Sequence, residues 1–180
     1  MPSIITHSLV GIAAGKAFAP KGMPRRFWDL TIICAILPDL DVIFFRFGVE
    51  YGHFLGHRGF FHSPFFALLL AISIVLIFYR TERRWWAYLI YFFLITAANG
   101  ILDAFTNGGL GVALLSPFSN KRYFFPWRPI VVSPIGARWF FTRWGLRALM
   151  SEVIWVWIPA FFVVLVARVG RNYWGRFRRT

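Results

Sequence analysis

The sequence predicts an all-α, polytopic membrane protein with four to five transmembrane helices and a long ordered loop between the last two. Hydrophobic residues make up 58% of the 180 residues, and the mean hydropathy is +0.61. Soluble domains contain about 45–50% apolar residues, so this chain is well above that range. Several apolar runs have the length of a membrane span and are separated by short basic stretches. The length predicts a single domain, residues 1–180.

The first two apolar segments are short or interrupted. Residues 4–19 are rich in small side chains and carry His7 and Lys16, so this segment either spans the membrane or packs as a half-buried helix. Residues 27–47 are interrupted by Pro38, which leaves backbone groups without helical partners. Such groups are tolerated in a membrane only where they are buried in protein or line a wet cavity.

Three further segments have the length of a span, at residues 60–79, 85–105 and 149–169. Ser63 followed by Pro64 is typical of a helix N-cap with proline in the first turn. Residues 106–147 are rich in Gly, Pro and aromatics without a sustained period, which predicts an ordered extramembrane loop with short strands near 123–132.

The formal net charge is +13, but the basic residues do not indicate a nucleic-acid partner. No helix-turn-helix or RNA-binding signature accompanies them. They cluster between segments one and two, between three and four, and in the C-terminal tail, residues 170–180. The positive-inside rule makes that side cytoplasmic, so we expect the N-terminus outside, the C-terminus inside and the tail on anionic lipid.

Under this topology, five polar residues within or beside the apolar segments fall at the outer membrane face. They are His7, Asp39, His57, His62 and Asp103. Ionisable groups next to hydrocarbon are expensive and usually functional. Because imidazole and carboxylate are the usual ligands of zinc and similar divalent metals, we predict that these five hold a metal ion. Reversing the orientation would move the cluster to the other face without scattering it.

Three residues are candidates for catalysis: Asp41, Arg58 and Glu152. Asp41 is a metal ligand, a support for a ligand, or a general base. Arg58 either neutralises a substrate phosphate or pairs with Asp41. Glu152 is a general base, a support for a metal ligand or, as we prefer, an ion-pair partner of Arg147 or Arg143. His53 is interpreted as a solvated loop residue.

Four motifs in order along the chain resemble the YdjM-like family. They are Thr6-His7-Ser8, Pro38-Asp39-Leu40-Asp41, His57-Arg58-Gly59-Phe60-Phe61-His62-Ser63 and Leu102-Asp103-Ala104-Phe105-Thr106. The resemblance extends from about residue 4 to the Ser116-Pro117-Phe118 stretch. It implies a LexA-binding, metal-dependent hydrolase of the inner membrane. A more distant likeness to zinc-dependent phospholipase C and the P1-type nucleases implies cleavage of phosphoesters.

One position departs from the pattern of that family, which usually has a histidine four residues before the aspartate of the fourth segment. That position is Asn99 here. Residues four apart share a helix face, so Asn99 is expected to face the site beside Asp103. Because asparagine binds zinc poorly, we expect fewer metal ions, a harder metal such as Mg²⁺ or Mn²⁺, or lost activity.

The main hypothesis is therefore a multi-pass inner-membrane hydrolase that cleaves a lipid or lipid-linked phosphoester with a metal-activated water. Zinc is the first choice of metal. The alternative is a non-catalytic membrane protein with a structural metal site that binds a regulatory protein partner. A metal or ion transporter is a third hypothesis, and it is disfavoured because the inner halves of the apolar segments contain almost no acidic residues.

Overall fold

The structure is a computed structural model that describes residues 1–177, apart from the side chains at 137 and 174–177. The all-α prediction is confirmed, because no strand occurs within these described residues. The α-helices are α1 (Ile4–Phe18), α2 (Arg25–Ile36), α3 (Pro64–Ile74), α4 (Trp85–Ala104), α5 (Ala137–Phe140), α6 (Arg143–Glu152) and α7 (Ile158–Phe177). Short 3₁₀ helices occupy Leu37–Phe47 and Phe60–His62, and π-helical turns occupy Val75–Tyr79 and Val153–Trp157.

Local sequence signals fix where several helices begin. Ser3 caps α1 by accepting a hydrogen bond from the backbone N–H of Thr6. The predicted cap of α3 is confirmed, because the Ser63 hydroxyl accepts from the Phe66 N–H and Pro64 occupies the first turn. The chain therefore leaves the His62 segment and enters α3 at a defined point.

Helix α4 is the centre of the bundle and contacts α1, α2 and α3. The hydroxyl of Tyr91 on α4 lies 3.1 Å from that of Thr31 on α2 and donates to the Gly11 carbonyl of α1. Phe27 of α2, Phe92 of α4 and their neighbours form the buried apolar core of the bundle. The π-helical extension of α3 is joined to α4 by stacked rings, since Tyr79 at its end lies over Tyr88.

Helix α6, the π-helical turn after it and α7 form one continuous helix, here called the final helix. It runs alongside α1 in the same direction. Ser3, which precedes α1, hydrogen-bonds Glu152 at the end of α6. At the other end of α1, the Arg171 guanidinium of α7 donates to the carbonyls of Lys16 and Ala19. The two helices are therefore fastened at both ends.

Many large apolar side chains outside the core face outward, and several small residues are buried where helices meet. Leu76, Ile77 and Val166 are 59%, 69% and 70% exposed, whereas Ala67 and Ala71 are fully buried. This arrangement is typical of helices packed in lipid, where small residues allow close approach. Two helices, Trp85–Ala104 and Arg143–Tyr173, are long and apolar enough to cross a membrane, and two shorter apolar helices cover Ile4–Phe18 and Pro64–Tyr79.

The region between α4 and the final helix differs from its prediction. The expected strands near 123–132 do not form in the described residues, which contain only isolated bridges, Thr106 with Ile130 and Val112 with Tyr123. The final helix starts at Arg143 and not at 149, because Thr142 caps it by accepting from the Gly145 N–H. Of the predicted basic tail, α7 continues to Phe177, and residues 178–180 lie outside the described residues.

Candidate metal centre

Four separate parts of the chain bring the predicted metal ligands together at one end of the bundle. His7 comes from α1, Asp39 from the 3₁₀ helix after α2, His57 and His62 from the loop before α3, and Asp103 from the end of α4. All five side chains are buried. Pro38 lies in the first turn of the 3₁₀ helix, and this tighter winding places Asp39 and Asp41 on two sides of His62.

One group that could hold a divalent ion consists of His7, Asp39 and Asp103. The His7 Nε2 atom lies 3.5 Å from Asp39 Oδ2 and 3.7 Å from Asp103 Oδ1, and it has no hydrogen-bond partner. These separations are too long for hydrogen bonds. They are close to the roughly 3.3 Å that separates two ligands of one tetrahedral zinc ion. The unpartnered nitrogen beside two carboxylates therefore fits a divalent metal.

A second group of potential ligands consists of Asp41, His57 and His62. His62 connects the two groups, because its Nδ1 lies 3.2 Å from Asp41 Oδ2 and its Nε2 lies 3.4 Å from Asp39 Oδ1. The Nε2 atom is also 3.6 Å from Asp103 Oδ2. The five predicted ligands and Asp41 therefore form one continuous cluster that contains both groups.

His57 is oriented by Asp41. Its Nδ1 atom lies 2.6 Å from Asp41 Oδ1, whereas its Nε2 is buried without a partner. A histidine held by a carboxylate through one nitrogen presents the other nitrogen as a metal ligand. Burial lowers the pKa of His57, and Asp41 only partly offsets this effect. The ring is therefore held in the neutral form that metals bind.

Asn99 faces the cluster, as the sequence predicts, but it acts as a hydrogen-bond donor. Its Nδ2 group donates to Asp39 Oδ2 at 2.8 Å and to the Ala35 carbonyl at 2.9 Å. Its Oδ1 atom is buried without a hydrogen-bond partner. Asn99 thus orients one carboxylate of the cluster and offers one neutral oxygen.

Each nitrogen of the Arg58 guanidinium contacts a protein group. Its Nε lies 2.8 Å from Asp103 Oδ2, and its other two nitrogens donate to the Gly108 carbonyl and the Thr106 hydroxyl. Only the backbone N–H of Arg58 bonds Asp41, so the side-chain pair with Asp41, one of the two alternatives from the sequence, is replaced by a pair with Asp103. The backbone at Arg58 has a φ of 64°, a left-handed conformation, and its side chain reaches Asp103 at the end of α4.

Glu152 is also buried, but its partners differ from the arginines that the sequence suggests. One carboxylate oxygen accepts from the Ser3 N–H at 2.7 Å, and the other accepts from the hydroxyls of Ser3 and Thr6. The Thr6 hydroxyl in turn accepts from the Trp157 indole. Because Thr6 precedes His7, this network fixes the start of α1 and with it the position of one potential ligand.

Sequence reasoning missed two residues near the cluster, Tyr51 in the loop before His57 and Arg122 in the loop between α4 and α5. Arg122 donates to the carbonyls of Tyr51, His53 and His57 and so holds the His57 loop in place. Burial raises the pKa of Tyr51, whose ring packs edge-on against the His57 ring. Nothing in the sequence singles out Arg122 from the other basic residues of this loop, whereas Tyr51 belongs to the stretch just before the His57 motif. His53 is exposed, as expected.

A mostly apolar groove of about 450 Å³ reaches the cluster at His57. Its walls come from the loop before His57 and from the region around α5 and α6. The side chains that line it include Tyr51, His57, Val132, Ile135, Trp139 and Trp144. The groove therefore connects His57 with exposed aromatic side chains, Trp139 and Trp144.

The fold and the site define a class: a helical membrane protein with a buried histidine and aspartate cluster at one end of its bundle. The family model of the YdjM inner membrane protein matches residues 1–174. The chain is 38% identical over 180 residues to Escherichia coli (strain K12) inner membrane protein YbcI, covering 98% of this chain and 99% of that protein. No solved structure matches the chain significantly. The chain thus belongs to the YdjM inner membrane protein family and is a protein of the inner membrane.

Proposed function

We propose that this protein is a metal-dependent hydrolase that cleaves a phosphoester of a lipid or lipid-linked molecule. The observation that carries the proposal is the buried His7 Nε2 atom, which lies without a hydrogen-bond partner between the carboxylates of Asp39 and Asp103. Burying three carboxylates and three imidazoles in a membrane protein is costly unless cations bind them. Zinc is the ion that these ligands favour, with Mg²⁺ or Mn²⁺ as alternatives.

Each residue of the cluster has a proposed part. His7, Asp39, His57, His62 and Asp103 hold the ion, which when bound would lower the pKa of a water molecule and polarise the scissile ester. Asp41 keeps the His57 ring in place and is the carboxylate that we assign as proton acceptor.

The other two candidates for catalysis, Arg58 and Glu152, are assigned roles in positioning metal ligands. Arg58 holds Asp103 through its ion pair, and each of its two terminal nitrogens donates to a protein oxygen. Glu152 holds the start of α1 through Ser3 and Thr6, one residue before the ligand His7. Neither residue then needs to contact substrate.

The groove beside His57 supports a lipid-like substrate. Its apolar walls suit an acyl or prenyl chain, and its inner end reaches the histidine whose Nε2 is unpartnered. A substrate bound there would place a headgroup phosphate against the cluster while its chain stays in contact with apolar side chains.

We further propose that five segments cross the membrane, with the cluster toward the outer face and the C-terminus in the cytoplasm. Helices α1 and α3 begin at the cluster, whereas α2 and α4 end there. This arrangement supports successive segments that cross the membrane in alternating directions. The outward apolar side chains support contact with lipid along the bundle.

The proposal is tested by measuring bound metal and phosphodiester hydrolysis in purified protein. Wild type should contain at least one divalent ion per chain and hydrolyse bis(4-nitrophenyl) phosphate. Asp39→Asn and His62→Ala should each remove the metal and lower the hydrolysis rate at least about 100-fold, since each loses a direct ligand. The matched controls are Asp29→Asn and His53→Ala, because both residues are exposed.

Two results would contradict the proposal in different ways. Full metal content in both Asp39→Asn and His62→Ala would refute the metal centre. Normal metal binding with no hydrolysis of this substrate or of a phospholipid by wild type would refute the enzyme and favour the non-catalytic protein with a structural metal and a regulatory protein partner.

A further inference from the structure

The end of the bundle away from the cluster contains a pocket of about 520 Å³. It lies where α1 ends, beside the turn into α2, and α7 closes its other side. The residues that line it are Gly15, Lys16, Ala19, Pro20, Lys21, Gly22, Met23, Trp28, Arg168, Arg171 and Asn172. This pocket shares no residue with the metal cluster or with its groove.

The pocket is strongly basic. Lys16, Lys21, Arg168 and Arg171 line it, and no acidic residue among those that the structure describes does so. Four like charges around one space repel each other unless an anion enters it. The electrostatics therefore favour a ligand with at least one negative charge.

Two of these cations are already fixed in position. The Arg171 guanidinium donates to the carbonyls of Lys16 and Ala19 at 2.6 and 2.9 Å, where the last turn of α1 leaves acceptors free. The Lys16 ammonium lies 4.6 Å from the centre of the Trp28 ring. Because these contacts hold the side chains before any ligand arrives, binding an anion would cost less conformational entropy.

The surroundings of the pocket are apolar and exposed. Phe18 and Val169 lie next to its lining residues in the chain and are 73% and 60% exposed. A ligand with a charged headgroup and long apolar chains would place the headgroup in the pocket and its chains along these side chains. Basic pockets between membrane helices bind anionic lipid headgroups in this manner.

We propose that this pocket binds the phosphate headgroup of an anionic phospholipid from the surrounding bilayer. The site is separate from the proposed active site and does not depend on hydrolysis. Lys21 and Arg168 supply charge to the phosphate, while Lys16 and Arg171 shape the pocket against Trp28 and the end of α1. The bound lipid would tie α1 to α7 at the end where Arg171 fastens them.

The test is native mass spectrometry of the full chain in detergent, titrated with phosphatidylglycerol, phosphatidylcholine or inorganic phosphate. Wild type should bind one phosphatidylglycerol at least about tenfold more tightly than phosphatidylcholine. Lys21→Ala combined with Arg168→Ala should weaken that binding about 10- to 30-fold, because each basic residue contributes on the order of 1 kcal/mol. The matched control is Arg83→Ala with Arg84→Ala, which removes two exposed charges from a different loop.

Lys21→Glu provides a second variant, since this exposed residue lies in a turn outside the helices and its replacement leaves the bundle intact. It should weaken phosphatidylglycerol binding without lowering the thermal unfolding midpoint in detergent. Equal losses in the pocket and control variants would overturn the proposal, because they would indicate general surface charge. Inorganic phosphate that competes fully with phosphatidylglycerol at equal concentration would also overturn it, since the pocket would then bind free phosphate.

Discussion

Asn99 lies on the face of α4 that meets the cluster, one turn before Asp103. Its Nδ2 group holds Asp39 Oδ2 and the Ala35 carbonyl together, so it joins α4 to the start of the 3₁₀ helix that carries Asp39. Residues that orient metal ligands without binding the ion affect affinity more than stoichiometry. Under the proposed metal centre, Asn99 therefore orients Asp39 and is not itself a ligand.

Replacing Asn99 tests this role. Asn99→Ala should weaken metal binding about 10- to 100-fold, because Asp39 loses the donor that fixes its orientation. The number of ions bound at saturation should stay the same. Metal titration monitored by mass spectrometry provides the measurement. Asn120→Ala is the control, since Asn120 is exposed in the loop. A reduced stoichiometry at saturating metal would instead make Asn99 a direct ligand.

At the scale of elements, the cluster depends on how closely the loop before α3 approaches α4. A Cβ atom at Gly100 would collide with the carbonyl oxygen of His62. Gly100 follows Asn99 and lies one turn before Asp103, so the close approach occurs beside the potential ligands. The missing side chain at this position allows His62 to lie between Asp39 and Asp41.

Gly100→Ala should therefore displace His62 and lower both metal content and the thermal unfolding midpoint. Overpacking of a buried contact costs about 1–3 kcal/mol, which exceeds the small gain in helix propensity from alanine. The control is Gly170→Ala on α7, where an added Cβ meets no atom within 4 Å. That variant should keep its metal content and unfold at or slightly above the wild-type midpoint. An unchanged midpoint in Gly100→Ala would contradict the packing argument.

At the scale of the whole molecule, the cluster and the basic pocket occupy opposite ends of the same bundle. His7 and Lys16 are both on α1, and nine residues of helix separate them by about 13 Å. The basic residues of the α3–α4 connection and the end of α7 lie toward the pocket end. The proposed orientation therefore directs the cluster outward and the pocket toward the cytoplasm.

Cysteine labelling in cells tests that orientation. A membrane-impermeant maleimide should label His53→Cys in intact spheroplasts and Glu82→Cys only after permeabilisation, since these exposed residues lie at opposite ends of the bundle. Wild type is a suitable background, because its one cysteine, Cys34, is buried. Labelling of position 82 from outside, with protection of 53, would reverse the topology.

The site was partly predictable at the level of residue types. Ionisable residues inside apolar segments stand out in a sequence, so His7, Asp39 and Asp103 could be selected without a structure. The partners of Arg58 could not be predicted, because they depend on its positive φ and on a loop that starts at Thr106. Arg122 was missed because its hydrogen bonds to carbonyls far away in the chain leave no local sequence pattern.

The sequence by itself determined the all-helical class, the cap at Ser63 and the candidates for the cluster, since hydropathy, capping and the cost of burying charge act locally. Only the tertiary structure decided that Asp103 pairs with Arg58, that Glu152 anchors the start of α1, and that cations from α1 and α7 share one pocket. Each of these contacts joins residues distant in the chain. Their formation depends on how the helices pack, and local sequence patterns carry no information about that.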